Sequence, residues 1–131
     1  MRRRVSKATF PDQPGVYVVY ERKNVTRPLY VGVAEKQSLR KRWRQNHLRP
    51  RAGSSSLRRS LGVHLGLVEK KLRLPSRYYP AQVEAKITNF LERCFVELFP
   101  TATGKEAIDL EREMIARLRP KLNVSRGRRP R

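Results

Sequence analysis

At 131 residues the chain has the size of one ordinary domain, long enough to bury a single modest core and short for two. Thirty-one Lys and Arg against eleven Asp and Glu give a formal net charge of +20 and a sequence pI near 11.4, which points to a polyanionic partner. Cys94 is the only cysteine, which excludes an internal disulfide and a thiolate metal cluster; no apolar stretch approaches the roughly 20 residues of a membrane span, and Met-Arg-Arg-Arg is not the start of a secretory signal, so a soluble, reducing, cytoplasmic setting is expected.

Residues 1–9 and 125–131 each carry four Lys or Arg and no acid, and read as flexible basic arms around a folded part at 10–124. A turn at 11–14 leads into Gly15-Val-Tyr-Val-Val-Tyr-Glu, a β-branched and aromatic run suited to a strand. A polar connection at 22–28 and a second strand at 29–33 follow. Residues 38–47 turn helical, with Ser38 available as cap and Leu39 and Trp43 four apart, and Pro50 ends the helix. A second helix is predicted over 54–68, with Leu57, Leu61, Leu65 and Val68 on one stripe, weakened by Gly62 and Gly66. A third covers 81–92, with Val83, Ile87 and Leu91 inward. Residues 94–99 form a short buried strand, in which Cys94 reads as an inert thiol. A last helix at 105–119 stops at Pro120. The order β-β-α-α-α-β-α is an α+β pattern: a small three-stranded sheet, antiparallel or mixed, flanked by helices.

Between positions 36 and 68 there are nine Lys or Arg and no acid. Such a stretch suits a nucleic-acid face, with Arg40, Lys41, Arg44, Arg49, Arg51, Arg58 and Arg59 as phosphate contacts; a merely solvated basic surface is the plainer alternative. On the last helix Ala107, Ile108, Met114, Ile115 and Leu118 all fall within about 60° of the direction of Glu111 at 100° per residue. A carboxylate in an apolar stripe needs a partner, either a buried Arg or a cation. Tyr17 and Tyr30, taken alone, suit strand packing. The neighbouring Gly15 and Gly32 would let a substrate backbone approach closely.

Gly15-Val16-Tyr17 and Tyr30-Val31-Gly32, with twelve residues between the tyrosines, resemble the two halves of the GIY-YIG nuclease signature. Ser38-Leu-Arg-Lys-Arg-Trp resembles that family's first helix and selects Arg42, which periodicity alone does not separate from Arg40. The run from Glu106 through Pro120 to Asn123 is similar to its closing motif and selects Glu111. The resemblance implies a metal-dependent endonuclease acting on double-stranded or branched DNA, with Tyr17, Tyr30, Arg42 and Glu111 as the catalytic set. It implies one Mg²⁺ or Mn²⁺ held by Glu111, a phosphate contact from Arg42, and a tyrosine as general base, Tyr17 before Tyr30. The phenol pKa would have to fall under the influence of Arg42 and the metal. Asn123 would fix the loop after the last helix.

Two positions depart from the pattern. Several relatives carry a His four residues after the Arg, where Asn46 stands here; His47 comes one later, about 100° further round an α-helix, which points it away from Arg42 unless the helix has already unwound, and it is kept as an auxiliary site candidate on that condition. Val33 stands where some relatives carry Lys or Ser. His64 reads as a packed or surface imidazole. The rival readings are a basic protein that binds nucleic acid without cutting it, and a nuclease subunit that needs a protein partner or a second copy.

Overall fold

The computed structural model describes residues 1–49, 55–67 and 79–123. Its centre is a fully antiparallel sheet of four strands, β1 (Arg3–Arg4), β2 (Gly15–Tyr20), β3 (Tyr30–Ala34) and β4 (Phe95–Pro100), in the spatial order β1-β4-β2-β3. All six residues of β2 are buried because both faces of the strand are covered, which is why its sequence is a continuous apolar run. One face carries Tyr17, Val19 and Tyr30 beneath three helical segments; the other packs Val16, Val18 and Val31 against the final helix.

The helices are α1 (Leu39–Arg42), α2 (Ser56–His64), α3 (Ala81–Arg93) and α4 (Gly104–Leu118). Their starts follow capping chemistry. Ser38 Oγ accepts the Lys41 amide at 3.1 Å, Ser55 Oγ that of Arg58 at 3.1 Å, and Thr103 Oγ1 that of Glu106 at 3.1 Å. Glu106 reaches back to accept the amide of Ala102. At its other end α4 terminates on Arg119, in the left-handed region at φ 51°, before Pro120. Leu39, Leu57, Leu61, Ile87 and Leu91 are fully enclosed on the first face, and Ala107 and Met114 of α4 on the second, as the stripes predicted.

The fourth strand comes from residues expected to form a flexible arm. Val5 is 2 % exposed within the core, and its amide donates to the Cys94 carbonyl at 2.8 Å. The Arg2 guanidinium lies 3.4 Å from the centre of the Tyr20 ring and donates to the carbonyls of Lys23 and Val25; that of Arg4 lies 5.1 Å from the centre of the Phe95 ring. Arginines that stack on aromatic rings cover the sheet edge, and a reading by charge alone misses this. The arm at 125–131 falls outside the described residues, as do Val68 and Arg51.

A buried ion pair ties α2 to α3. Arg58 Nη2 donates to Glu84 Oε1 at 2.7 Å and to the Glu84 carbonyl at 2.9 Å, while Nη1 donates to the His47 carbonyl at 2.9 Å. The Tyr79 amide donates to Glu84 Oε2 at 3.2 Å, so both carboxylate oxygens are engaged. Both side chains of the pair are almost wholly withdrawn from solvent. Glu84→Ala leaves the guanidinium charge buried without a counter-ion and is expected to cost about 3–5 kcal/mol, read as a lowered midpoint in urea unfolding.

Candidate active site

Tyr17 lies across its cross-strand partner Gly32. A Cβ on Gly32 would collide with the hydroxyl end of Tyr17, and one on Gly15 would come to 2.6 Å from the Phe99 carbonyl oxygen. Both glycines are therefore filled by the protein itself. The close approach they permit is that of a ring and a neighbouring strand, not of a substrate backbone, and that expectation is corrected. The Tyr17 ring stacks on Tyr30 at 6.3 Å between centroids and meets Trp43 edge-on at 5.3 Å. Both tyrosines are buried.

The helix that begins at Ser38 does not stay α-helical. After Arg42 it widens into a π-helical turn, Trp43–His47, in which the Leu48 amide donates to the Trp43 carbonyl five residues back at 2.9 Å. The wider turn absorbs one extra residue. It brings His47, five positions after Arg42, back toward the sheet, where α-helical geometry would have pointed it away. His47 is fully buried and its Nε2 is in hydrogen-bond contact with the Tyr17 hydroxyl. Asn46, which holds the α-helical position, is half-buried and accepts from Gln37 at 3.2 Å. On its other side His47 Nδ1 lies 2.8 Å from Ser55 Oγ.

Burial pushes the pKa of His47 well below its usual value, with help from the Arg42 and Arg58 charges, so the imidazole is neutral. Burial likewise raises that of Tyr17, assisted by Tyr30 and Glu111; Arg42 opposes it by charge and by a hydrogen bond, and loses. Arg42 alone does not lower the phenol as the sequence reading required. It is nevertheless Arg42, not Arg40, that reaches the site: Arg40 is exposed, 4.0 Å from Asp12. The Arg42 Nε is buried and, among the described residues, without a hydrogen-bond partner. A groove of about 440 Å³ runs past it, lined by Val33, Ala34, Glu35, Lys36, Gln37 and Lys41.

Glu111 is half-buried on α4, between Ala107 and Met114, within electrostatic reach of the Tyr17 hydroxyl. No three His, Cys, Asp or Glu side chains converge among the described residues. A lone carboxylate suits a hard, strongly hydrated ion such as Mg²⁺, which keeps most of its waters. Asn123 clamps the outer edge of β3, its Oδ1 accepting the Val31 amide at 2.7 Å and its Nδ2 donating to the Val31 carbonyl at 3.0 Å. It thereby holds the end of α4 against the strand that carries Tyr30.

The proposed basic face divides. Lys41, Arg44 and Arg49 are exposed with Arg40, and Arg59 is half-buried. Arg58 is the exception: 3 % exposed and paired to Glu84, it is part of the core and no phosphate contact. His64 is exposed, with its ring against Phe90. Burial raises the Cys94 thiol to about 12, which keeps it protonated and inert. Sequence reasoning missed Ser55 and Glu84. The serine run at 54–56 announced a helix start but gave no sign that one of its hydroxyls meets an imidazole.

No curated protein matches the chain. No helix among the described residues is long and apolar enough to cross a membrane. The GIY-YIG catalytic domain matches residues 3–130, from the first residue of β1 through nearly all of the chain. On that match, and with an antiparallel sheet that sets both tripeptides on adjacent strands, the chain belongs to the GIY-YIG family of nuclease domains.

Proposed function

We propose that the chain is a metal-dependent DNA endonuclease that hydrolyses phosphodiester bonds in duplex or branched DNA. The observation that carries this reading is the Tyr17 hydroxyl held between His47 Nε2 and Arg42 beside a basic groove, with Glu111 in electrostatic reach. A buried phenol needs one hydrogen-bond partner, and a guanidinium beside the imidazole is more than packing requires. Tyr17 in its phenolate form takes the proton of the attacking water as the new P–O bond forms and the leaving oxygen departs. Arg42, whose side chain lines the groove, contacts the scissile phosphate with its guanidinium charge. Tyr30, stacked on Tyr17, holds the ring in place. A Mg²⁺ or Mn²⁺ ion held by Glu111 would supply positive charge for the developing negative charge on the phosphoryl oxygens. The exposed Arg40, Lys41, Arg44 and Arg49 fit neighbouring phosphates.

Two measurements test this. Nicking of duplex, flap and junction DNA is expected with Mg²⁺ or Mn²⁺ and is lost in chelator and in Glu111→Ala, with DNA binding retained. Undiminished cutting by that variant removes Glu111 from the site, and failure to cut any DNA under either ion leaves only a binding function.

The second is the pH profile of single-turnover cleavage. A base whose pKa is raised above its usual value stays mostly protonated at neutral pH. Its active fraction, and with it the rate, is expected to climb about tenfold per pH unit between pH 6 and 8. A flat profile would assign the base elsewhere.

A further inference from the structure

We infer that a second nucleic-acid contact lies at the end of β3 remote from the groove: the loop at 21–28 and the end of α4 form one cationic surface that takes the phosphate backbone of duplex DNA flanking the cut. The inference rests on the reading of DNA as substrate and adds a surface outside the basic stretch at 36–68.

Two segments distant in sequence are tied together here. Arg27 Nε donates to the Arg119 carbonyl at 2.6 Å, the Lys121 amide to the Pro28 carbonyl at 3.0 Å and the Leu122 amide to the Leu29 carbonyl at 2.8 Å. Across this seam Arg22, Lys23, Arg27, Arg117, Arg119 and Lys121 are all exposed. Glu21 is the only acid in 21–28 and 117–122. Among the described residues, no side chain of the six except that of Arg27 makes a hydrogen bond or ion pair, so the fold leaves their charges available. Arg117 and Arg119 line a hollow of about 470 Å³, Arg22 and Lys121 one of about 360 Å³, and Arg27 borders both. The earlier part of α4 is different: residues 104–116 carry Lys105 and Arg112 against Glu106, Asp109, Glu111 and Glu113, so the cations gather at its end.

Helix polarity offers a plainer account, since cations near a helix C-terminus offset its partial negative charge. It covers neither Arg22 and Lys23, which come from the loop, nor the backbone at Arg119. That residue has the one positive φ outside glycine among the described residues, 51°. It also precedes a proline, which favours extended backbone in the residue ahead of it. Glycine would hold this left-handed turn without strain. A long cationic side chain at a position suited to glycine points to a use for the side chain itself. The spacing suits a duplex. Arg119 lies eight residues beyond Glu111, about 12 Å at helical rise, and Glu21 four beyond Tyr17, about 13 Å at strand rise. A duplex seated at Arg42 carries phosphates past this surface well within one helical turn, about 34 Å, of the cut.

The test is the affinity of the metal-free protein for a duplex of about 30 base pairs, followed against salt concentration. Arg117→Gln, Arg119→Gly and Lys121→Gln in one chain are expected to weaken binding at least about tenfold and to lower the slope of log affinity against log salt by about 2–3. Turnover at saturating DNA should stay within about twofold. Lys7→Gln, Lys86→Gln and Arg93→Gln together remove the same charge from exposed positions on the α3 side of the molecule, and should change affinity less than about threefold. Equal losses in the two triple variants overturn the inference, because net charge then accounts for the binding. Arg119→Gly alone separates the surface from helix polarity: weaker binding with an unfolding midpoint unchanged or raised supports the inference, and unmoved affinity overturns it. Should the triple variant not fold, Arg119→Gly and the pair Arg22→Gln, Lys23→Gln decide by the same affinity measurement. A protein that binds DNA through this surface and cuts none overturns the endonuclease reading alone, since affinity and salt slope are read without cleavage.

Discussion

The rest of the site depends on one buried polar contact, that between the Tyr17 hydroxyl and His47 Nε2. Tyr17 projects from the central strand into an apolar layer, and a hydroxyl enclosed there requires a partner. An imidazole supplies one but brings a second nitrogen with the same requirement. Ser55 answers that nitrogen, which fixes where α2 must begin. The ring also has to reach the sheet, and the π-helical turn after Arg42 makes the reach. Gly32 leaves the volume that the Tyr17 ring occupies. A glycine, a helical irregularity and a cap are therefore consequences of one contact, not three independent features.

The arginines illustrate how little formal charge says about role. Arg2 and Arg4 lie on aromatic rings at the sheet edge, Arg58 is sealed in the core with Glu84, and Arg40, Lys41, Arg44 and Arg49 face outward. All contribute to the same net charge of +20. Of these named side chains only the outward group presents its charge to solvent, where it can replace counter-ions on a phosphate backbone, and there Arg40 also faces Asp12. The excess positive charge thus overstates the nucleic-acid face.

Much of the fold was legible because it rests on local rules. The apolar run of β2, the serine and threonine caps, the stripe on α4 around Glu111 and the stop at Pro120 are written in adjacent residues. The site was legible in part. Periodicity left Arg40 and Arg42 tied; the motif resemblance chose Arg42, and the packing of α1 on the sheet gives the physical separation. An unbroken α-helix would point His47 away from Arg42, so its place in the site depended on an unwinding that the sequence could only name as a condition. The i→i+5 bonding of a π-helical turn brings the ring back, and nothing in Trp-Arg-Gln-Asn-His announces it. Arg58 was read as surface because its partner Glu84 lies twenty-six residues away on another helix. Contacts at that separation leave no trace in a local pattern.

The electrostatics of the site bear on why a divalent ion belongs in the proposed mechanism. In the chain by itself burial outweighs Arg42, and the phenol stays protonated. A scissile phosphate drawn to Arg42 would weaken even that opposition, because an anion pairing with the guanidinium screens its attraction for a phenolate. Substrate alone therefore moves Tyr17 further from the form that accepts a proton. His47, neutral and in contact with the hydroxyl, brings no net charge to offset that. The balance calls for positive charge entering with the phosphate, and Glu111, whose charge already acts on the Tyr17 hydroxyl, is the carboxylate proposed to hold it. The groups around Tyr17 thus support a phenolate that forms only when phosphate and cation are both in place, with the resting site neutral at the hydroxyl.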